Sequence, residues 1–128
     1  MKICIDPGHS GPFEPGACAG GFNEADINWY IAKFAMAELK YRGHQALLTR
    51  GKKIDNDELA FRAECANEWQ ADLFISIHCN SAARIEADGT ETYYYPGSHW
   101  GEQLARCIPS CMTAAMLTHD RVVTTPAS

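Results

Sequence analysis

Two histidines stand just past the ends of two apolar runs, which is where side chains can converge on a ligand. In FISIHCNS, Phe74 to Ser81, the apolar residues stop at His78, Asn80 and Ser81. In KICIDPGHSG, Lys2 to Asp6 leads through Pro7 and Gly8 to His9. A short apolar run bounded by polar residues reads as a strand covered on both faces, as in a parallel sheet flanked by helices. Ligands of open α/β sheets bind beyond the carboxyl ends of the strands, so two strand-end imidazoles suggest a metal. Glu24 falls in the first turn of the helix expected next, and two histidines, one glutamate and an open fourth position make the ligand set of a hydrolytic zinc site. The attraction of a carboxylate to a helix N-terminus accounts for Glu24 equally well. The meeting of His9 and His78 is a tertiary inference, so spacing alone leaves both explanations standing. His44, His99 and His119 lack such placement and read as solvated. Cys79 points away from His78 in an extended segment and reads as packing.

The elements that must position these groups alternate strand and helix with short connections. After the first strand, Gly8 to Gly21 is a glycine- and proline-rich loop too broken to form an element, expected to border a cleft, with Phe13 either packed inward or facing substrate. Asn23 caps a helix, with Asp26 completing something like a capping box and Ile27, Tyr30, Ile31, Phe34, Ala35 and Leu39 as its apolar stripe. Lys40, Arg42 and the left-handed stop at Gly43 end it. Gln45 to Thr49 is a second strand. A helix opening at Asp57, with Leu59, Ala63, Ala66 and Trp69 inward, leads back to Phe74. Arg62 lies near that inward stripe, where an arginine usually pairs with an acid and less often contacts a ligand. Arg84 to Gly89 is polar and turn-forming, Thr90 to Tyr95 is a strand containing Glu91, and about Ser98 to Leu117 is a helix that Pro109 should kink or split. His119 to Ser128 has too little apolar pattern for a further strand.

The chain has 128 residues, 46% of them apolar, which suits one globular domain over 1–128. Sixteen acids against eleven bases give a formal net charge of −5, and no basic cluster exceeds Lys52 and Lys53, so no nucleic-acid partner is expected. No run approaches the roughly 18 apolar residues of a membrane helix and no signal peptide is evident, so no membrane partner is expected and the chain is read as made in the cytoplasm. The six cysteines are expected as reduced thiols, with Cys107 and Cys111 as helix packing.

DPGHSG at Asp6 to Gly11, NEADINWYIAKFAMAELKYRGHQALLTR at Asn23 to Arg50, RAECANEWQADLFISIHCNSA at Arg62 to Ala82 and GTETYYY at Gly89 to Tyr95 together resemble the zinc-dependent N-acetylmuramoyl-L-alanine amidases of bacterial cell walls and phage endolysins. The resemblance runs from Lys2 to about Arg121. It implies a twisted, mostly parallel sheet with helices on both faces, and one zinc ion on His9, Glu24 and His78. It also implies cleavage of the amide joining N-acetylmuramic acid to L-alanine in peptidoglycan, and action at the cell wall after release or export. In the family a further glutamate on a late strand serves as general base and acid, and no matching segment is found before Ser128. Glu91 is the one later strand glutamate and stands as its substitute, as a group supporting the site from behind, or simply as a strand-edge carboxylate, with Asn80, Ser81 and Arg62 as substrate-binding candidates. The alternative expectation is a zinc-bearing peptidoglycan-binding module of little or no activity, with self-association through a side left uncovered at the carboxyl end.

Overall fold

The computed structural model describes residues 1–51, 58–80, 89–116 and 120–124, and the chain divides into two compact units, Met1–Ser81 and Ala82–Ser128. The first holds β1 (Lys2–Pro7), β2 (Cys18–Ala19), β3 (Phe22–Asn23), α1 (Glu24–Tyr41), β4 (Gln45–Leu48), α2 (Leu59–Glu68) and β5 (Leu73–Ile77). Strands β4, β1 and β5 form a parallel sheet in that order, the α/β class expected from the sequence. Successive residues of a strand face opposite sides. Ile3 and Ile5 of β1 therefore pack on Ala32 of α1, while Asp6 turns to the other face, where Arg62 of α2 meets it.

The ends of α1 form as their residues dictate. The Asn23 side chain accepts the Asp26 N–H at 2.8 Å. At the other end Gly43, at φ 84°, lets its own N–H reach the Lys40 carbonyl and the His44 N–H reach that of Leu39, both at 3.0 Å, a Schellman pattern. The buried face of α1 corrects the expected stripe. Ala25, Asn28, Trp29 and Ala32 are inside, whereas Ile27, Tyr30 and Ile31 are exposed and Phe34 is 75% exposed. Of the expected stripe, Ala35 and Leu39 do pack on the Ile3 and Ile5 core, with Ala32 buried against it and Met36 beside it. In α2 the inward residues are Arg62 and Ala66, and Leu59 is exposed. Asp57, the expected start, lies outside the described residues.

Two further corrections concern β5 and the first loop. Among the described residues β5 is an outer strand of the sheet. Its Leu73, Ile75 and Ile77 pack on the core while Phe74 is exposed, so it is not covered on both faces. The segment from 8 to 21 is not wholly irregular: Cys18 and Ala19 pair antiparallel with Asn23 and Phe22 across Gly20 and Gly21, both at positive φ, the geometry of a tight hairpin turn.

The second unit is a β–α–β crossover: β6 (Thr90–Tyr93), α3 (His99–Met116) and β7 (Asp120–Thr124), with β6 and β7 paired in parallel. This corrects the expectation of no further strand. Val122 and Val123 stand opposite Glu91 and Thr92, and β-branched residues suit such a ladder. Helix α3 runs unbroken through Pro109, whose ring is fully buried. Cys107 and Cys111 are exposed rather than packed, and none of the six cysteines is disulfide-bonded. Segment 84–88 and His119 lie outside the described residues. No described helix is long and apolar enough to cross a membrane.

Candidate metal centre

Parallel pairing brings the two strand-end histidines together. Pro7 of β1 stands in register with Ile77 of β5, and the Gly8 N–H extends the ladder to the Ile77 carbonyl at 2.9 Å. His9 and His78 thus leave the same end of adjacent strands, and their rings lie 5.0 Å apart, edge to face. A side chain at Gly8 would obstruct this, since a Cβ there would stand 2.3 Å from the His78 ring.

Glu24 is delivered by the first turn of α1. Its N–H donates to the Ala17 carbonyl at 2.8 Å and the Ala25 N–H to that of Pro15 at 3.0 Å, so the loop satisfies helix-start donors that otherwise lack partners. Arg50, fully buried beyond β4, donates to the Ala25 carbonyl at 2.9 Å and lies over the Trp29 ring. Glu24 is 5% exposed, and each oxygen of its carboxylate serves one histidine and one backbone donor. Oε2 lies 3.1 Å from His9 Nε2 and accepts the Ala17 N–H at 3.0 Å. Oε1 lies 3.1 Å from His78 Nδ1 and accepts the Cys79 N–H at 2.8 Å. Burial alone would raise the Glu24 pKa, but the Ala17 and Cys79 N–H groups, with His9 and His78, outweigh it and hold the carboxyl below its ordinary range.

A nitrogen from each histidine and a carboxylate oxygen of Glu24 lie within 4.8 Å of one another, the one such cluster among the described residues. Two imidazoles and a carboxylate are the donors zinc takes in hydrolytic sites, so the residues present fit that ion. Cys79 stands outside the cluster. Its thiol pKa is raised by burial and by Glu24, and its Sγ donates to Asn28 Oδ1 at 3.3 Å. Asn28 in turn donates to the Gly8 carbonyl at 3.3 Å.

The other sequence candidates have different surroundings. Arg62 is 3% exposed and is turned onto the end of β1. Its Nη1 donates to Asp6 Oδ1 at 2.9 Å and to the Pro7 carbonyl at 3.0 Å, and its Nη2 donates to the His9 carbonyl at 2.9 Å. Asn80 is exposed beyond His78. Ser81 lies outside the described residues. Glu91 belongs to the second unit, where it accepts the Tyr93 hydroxyl at 3.0 Å. Phe13 is 72% exposed, which excludes inward packing.

Sequence reasoning missed Gly16 and Glu14. Gly16 sits at φ 70°, and a Cβ there would lie 2.5 Å from His9 Cδ2 and 2.7 Å from Glu24 Oε2. Gly16→Ala is expected to cost about 1–2 kcal/mol in backbone strain alone and, by displacing those ligand atoms, to weaken zinc binding. Thermal melts with and without zinc check this, and a variant whose zinc-induced shift in Tm equals that of the parent would show the contact to be unimportant. Glu14 Oε1 lies 3.2 Å from His9 Nδ1. Its only advance signal is a turn-forming Gly11-Pro12 between it and His9.

Comparison with known proteins bears on this arrangement. The profile of the N-acetylmuramoyl-L-alanine amidase family matches residues 3–127. N-acetylmuramoyl-L-alanine amidase LytC of Bacillus subtilis (strain 168) is 37% identical over 131 residues, which span 98% of this chain and 25% of LytC. Among solved structures, N-acetylmuramoyl-L-alanine amidase AmiC2 of Nostoc punctiforme superposes with a TM-score of 0.87 at 35% identity, over 98% of this chain and 68% of that one. The catalytic domain of the amidase CwlV from Bacillus (Paenibacillus) polymyxa var. colistinus gives 0.87 at 27% identity, over 99% of this chain and 70% of its own.

Proposed function

The chain belongs to the N-acetylmuramoyl-L-alanine amidase family, and from that premise we propose that it hydrolyses the amide between N-acetylmuramic acid and L-alanine in peptidoglycan, with one zinc ion held by His9, Glu24 and His78. The observation that carries this reading is the Glu24 carboxylate, which presents one oxygen to each histidine while two backbone N–H groups fix it. Bound there, zinc would supply Lewis-acid chemistry, polarising the scissile carbonyl and bringing a water nucleophile within reach of neutral pH. The chain's own residues hold that centre still. Glu24 aims both oxygens from the start of a rigid helix, and Arg62 and Asn28 bind the carbonyls around His9 and Gly8. The exposed half of His78 and exposed Asn80 leave one side of the cluster open to a polymer. We place its action at the cell wall.

Mass spectrometry of purified sacculi digested with the zinc-loaded protein tests the proposal. Hydrolysis at this bond releases stem peptides with a free L-alanine amino terminus while the glycan strands stay intact. Retained sacculus binding without such termini would support a zinc-bearing binding module instead. Neither binding nor release would overturn both readings.

A further inference from the structure

We propose that Glu14 is a positioning residue for the metal centre: its carboxylate holds the proton of His9 on Nδ1 and so keeps Nε2 directed at the metal. The inference rests on the zinc reading above and adds to it a residue outside the ligand set. Glu14 Oε1 stands 3.2 Å from His9 Nδ1, on the opposite edge of the ring from the Nε2 that faces Glu24 Oε2 at 3.1 Å. A neutral imidazole carries its proton on either nitrogen, and only the form protonated at Nδ1 leaves Nε2 free to ligate. A carboxylate accepting the Nδ1 proton selects that form and makes Nε2 a better donor, as carboxylates behind metal-bound histidines commonly do.

The local fold is built to bring this carboxylate back over His9. Gly11 at φ 80° turns the chain, Gly11 and Glu14 form an antiparallel bridge, and the buried Ser10 donates its N–H to the Glu14 carbonyl at 3.1 Å. Those bonds are made by the backbone, so changing the Glu14 side chain leaves the turn in place. The Glu14 side chain is 65% exposed, and an ion pair with one partner so exposed contributes little to stability. Its contribution should appear in metal affinity and in the state of the His9 ring.

The test measures zinc affinity by chelator competition in the parent chain, Glu14→Gln and Glu14→Ala, with Tm of the zinc-free proteins and imidazole 15N shifts recorded alongside. Affinity should fall roughly 10- to 100-fold in Glu14→Ala and less in Glu14→Gln, which keeps an oxygen acceptor. The zinc-free melting temperatures should stay together, and the His9 15N signals should show a larger share of the Nε2-protonated form in Glu14→Ala. Variants that bind zinc within about twofold of the parent would overturn the positioning role while leaving the zinc site intact. A loss of affinity that tracks a loss of Tm would reduce Glu14 to a loop staple and overturn it too. A parent chain that binds no zinc would overturn the metal reading on which it rests.

Discussion

Dialysed against a weak chelator, His9→Ala and His78→Ala should each retain less than roughly a tenth of the parent's zinc, because a site of three protein ligands has no spare. Release of L-alanine termini from sacculi should fall by at least about 1,000-fold, the equivalent of several kcal/mol of lost electrostatic stabilisation. His78→Ala should fold nearly as well as the parent, since the His78 side chain is half exposed. Glu24→Ala should behave differently. It removes the acceptor of the Ala17 and Cys79 N–H groups as well as the ligand, and leaving such donors unsatisfied costs about 1–3 kcal/mol each. Glu24→Ala should therefore lose both zinc and Tm, while His78→Ala loses zinc alone. Unchanged zinc content in both histidine variants would sink the site assignment.

The histidines and Glu24 were legible because each sits at the boundary of a strongly marked local element. A strand end and a capped helix start announce themselves within a few residues. What brings them together is the register of Pro7 with Ile77, a pairing across seventy residues that no local pattern encodes. The buried face of α1 was only partly legible: Ala35 and Leu39 of the expected stripe pack on the core, while its bulkiest members face solvent. Ile27, Tyr30, Ile31 and Phe34 are exposed, while Ala25, Asn28, Trp29 and Ala32 are inside, Asn28 bonding the Gly8 carbonyl. Strand β7 was missed because five residues containing two valines become a strand only when β6 offers a parallel edge. Glu14 lay in a loop with no periodicity to mark it. The acid expected to pair with Arg62 proved to be Asp6, fifty-six residues away.

That pair carries the last prediction: Arg62→Met should be among the most destabilising single changes in the chain. Arg62 and Asp6 are both buried, and Asp6 also accepts the Thr49 hydroxyl at 2.6 Å and the Ser76 hydroxyl at 2.7 Å. Breaking a buried pair by removing one partner leaves a charge that nothing neutralises, at a cost of about 3–5 kcal/mol. Against a total stability of about 5–15 kcal/mol that is a large share, and a fall in Tm on the order of 10–20 °C should follow. Changing Asp6→Asn in the same chain removes the stranded charge, so the double variant should be more stable than the sum of the single losses implies. A second effect separates this reading from a substrate-binding role for Arg62. His9 sits at φ 67°, a conformation that costs a non-glycine residue about 1–3 kcal/mol, and the Arg62 Nη2 bond to its carbonyl is part of what holds it there. Arg62→Met should accordingly weaken zinc binding although Arg62 touches no ligand atom. A variant with parental Tm and zinc affinity but weakened sacculus binding would show instead that Arg62 faces the substrate.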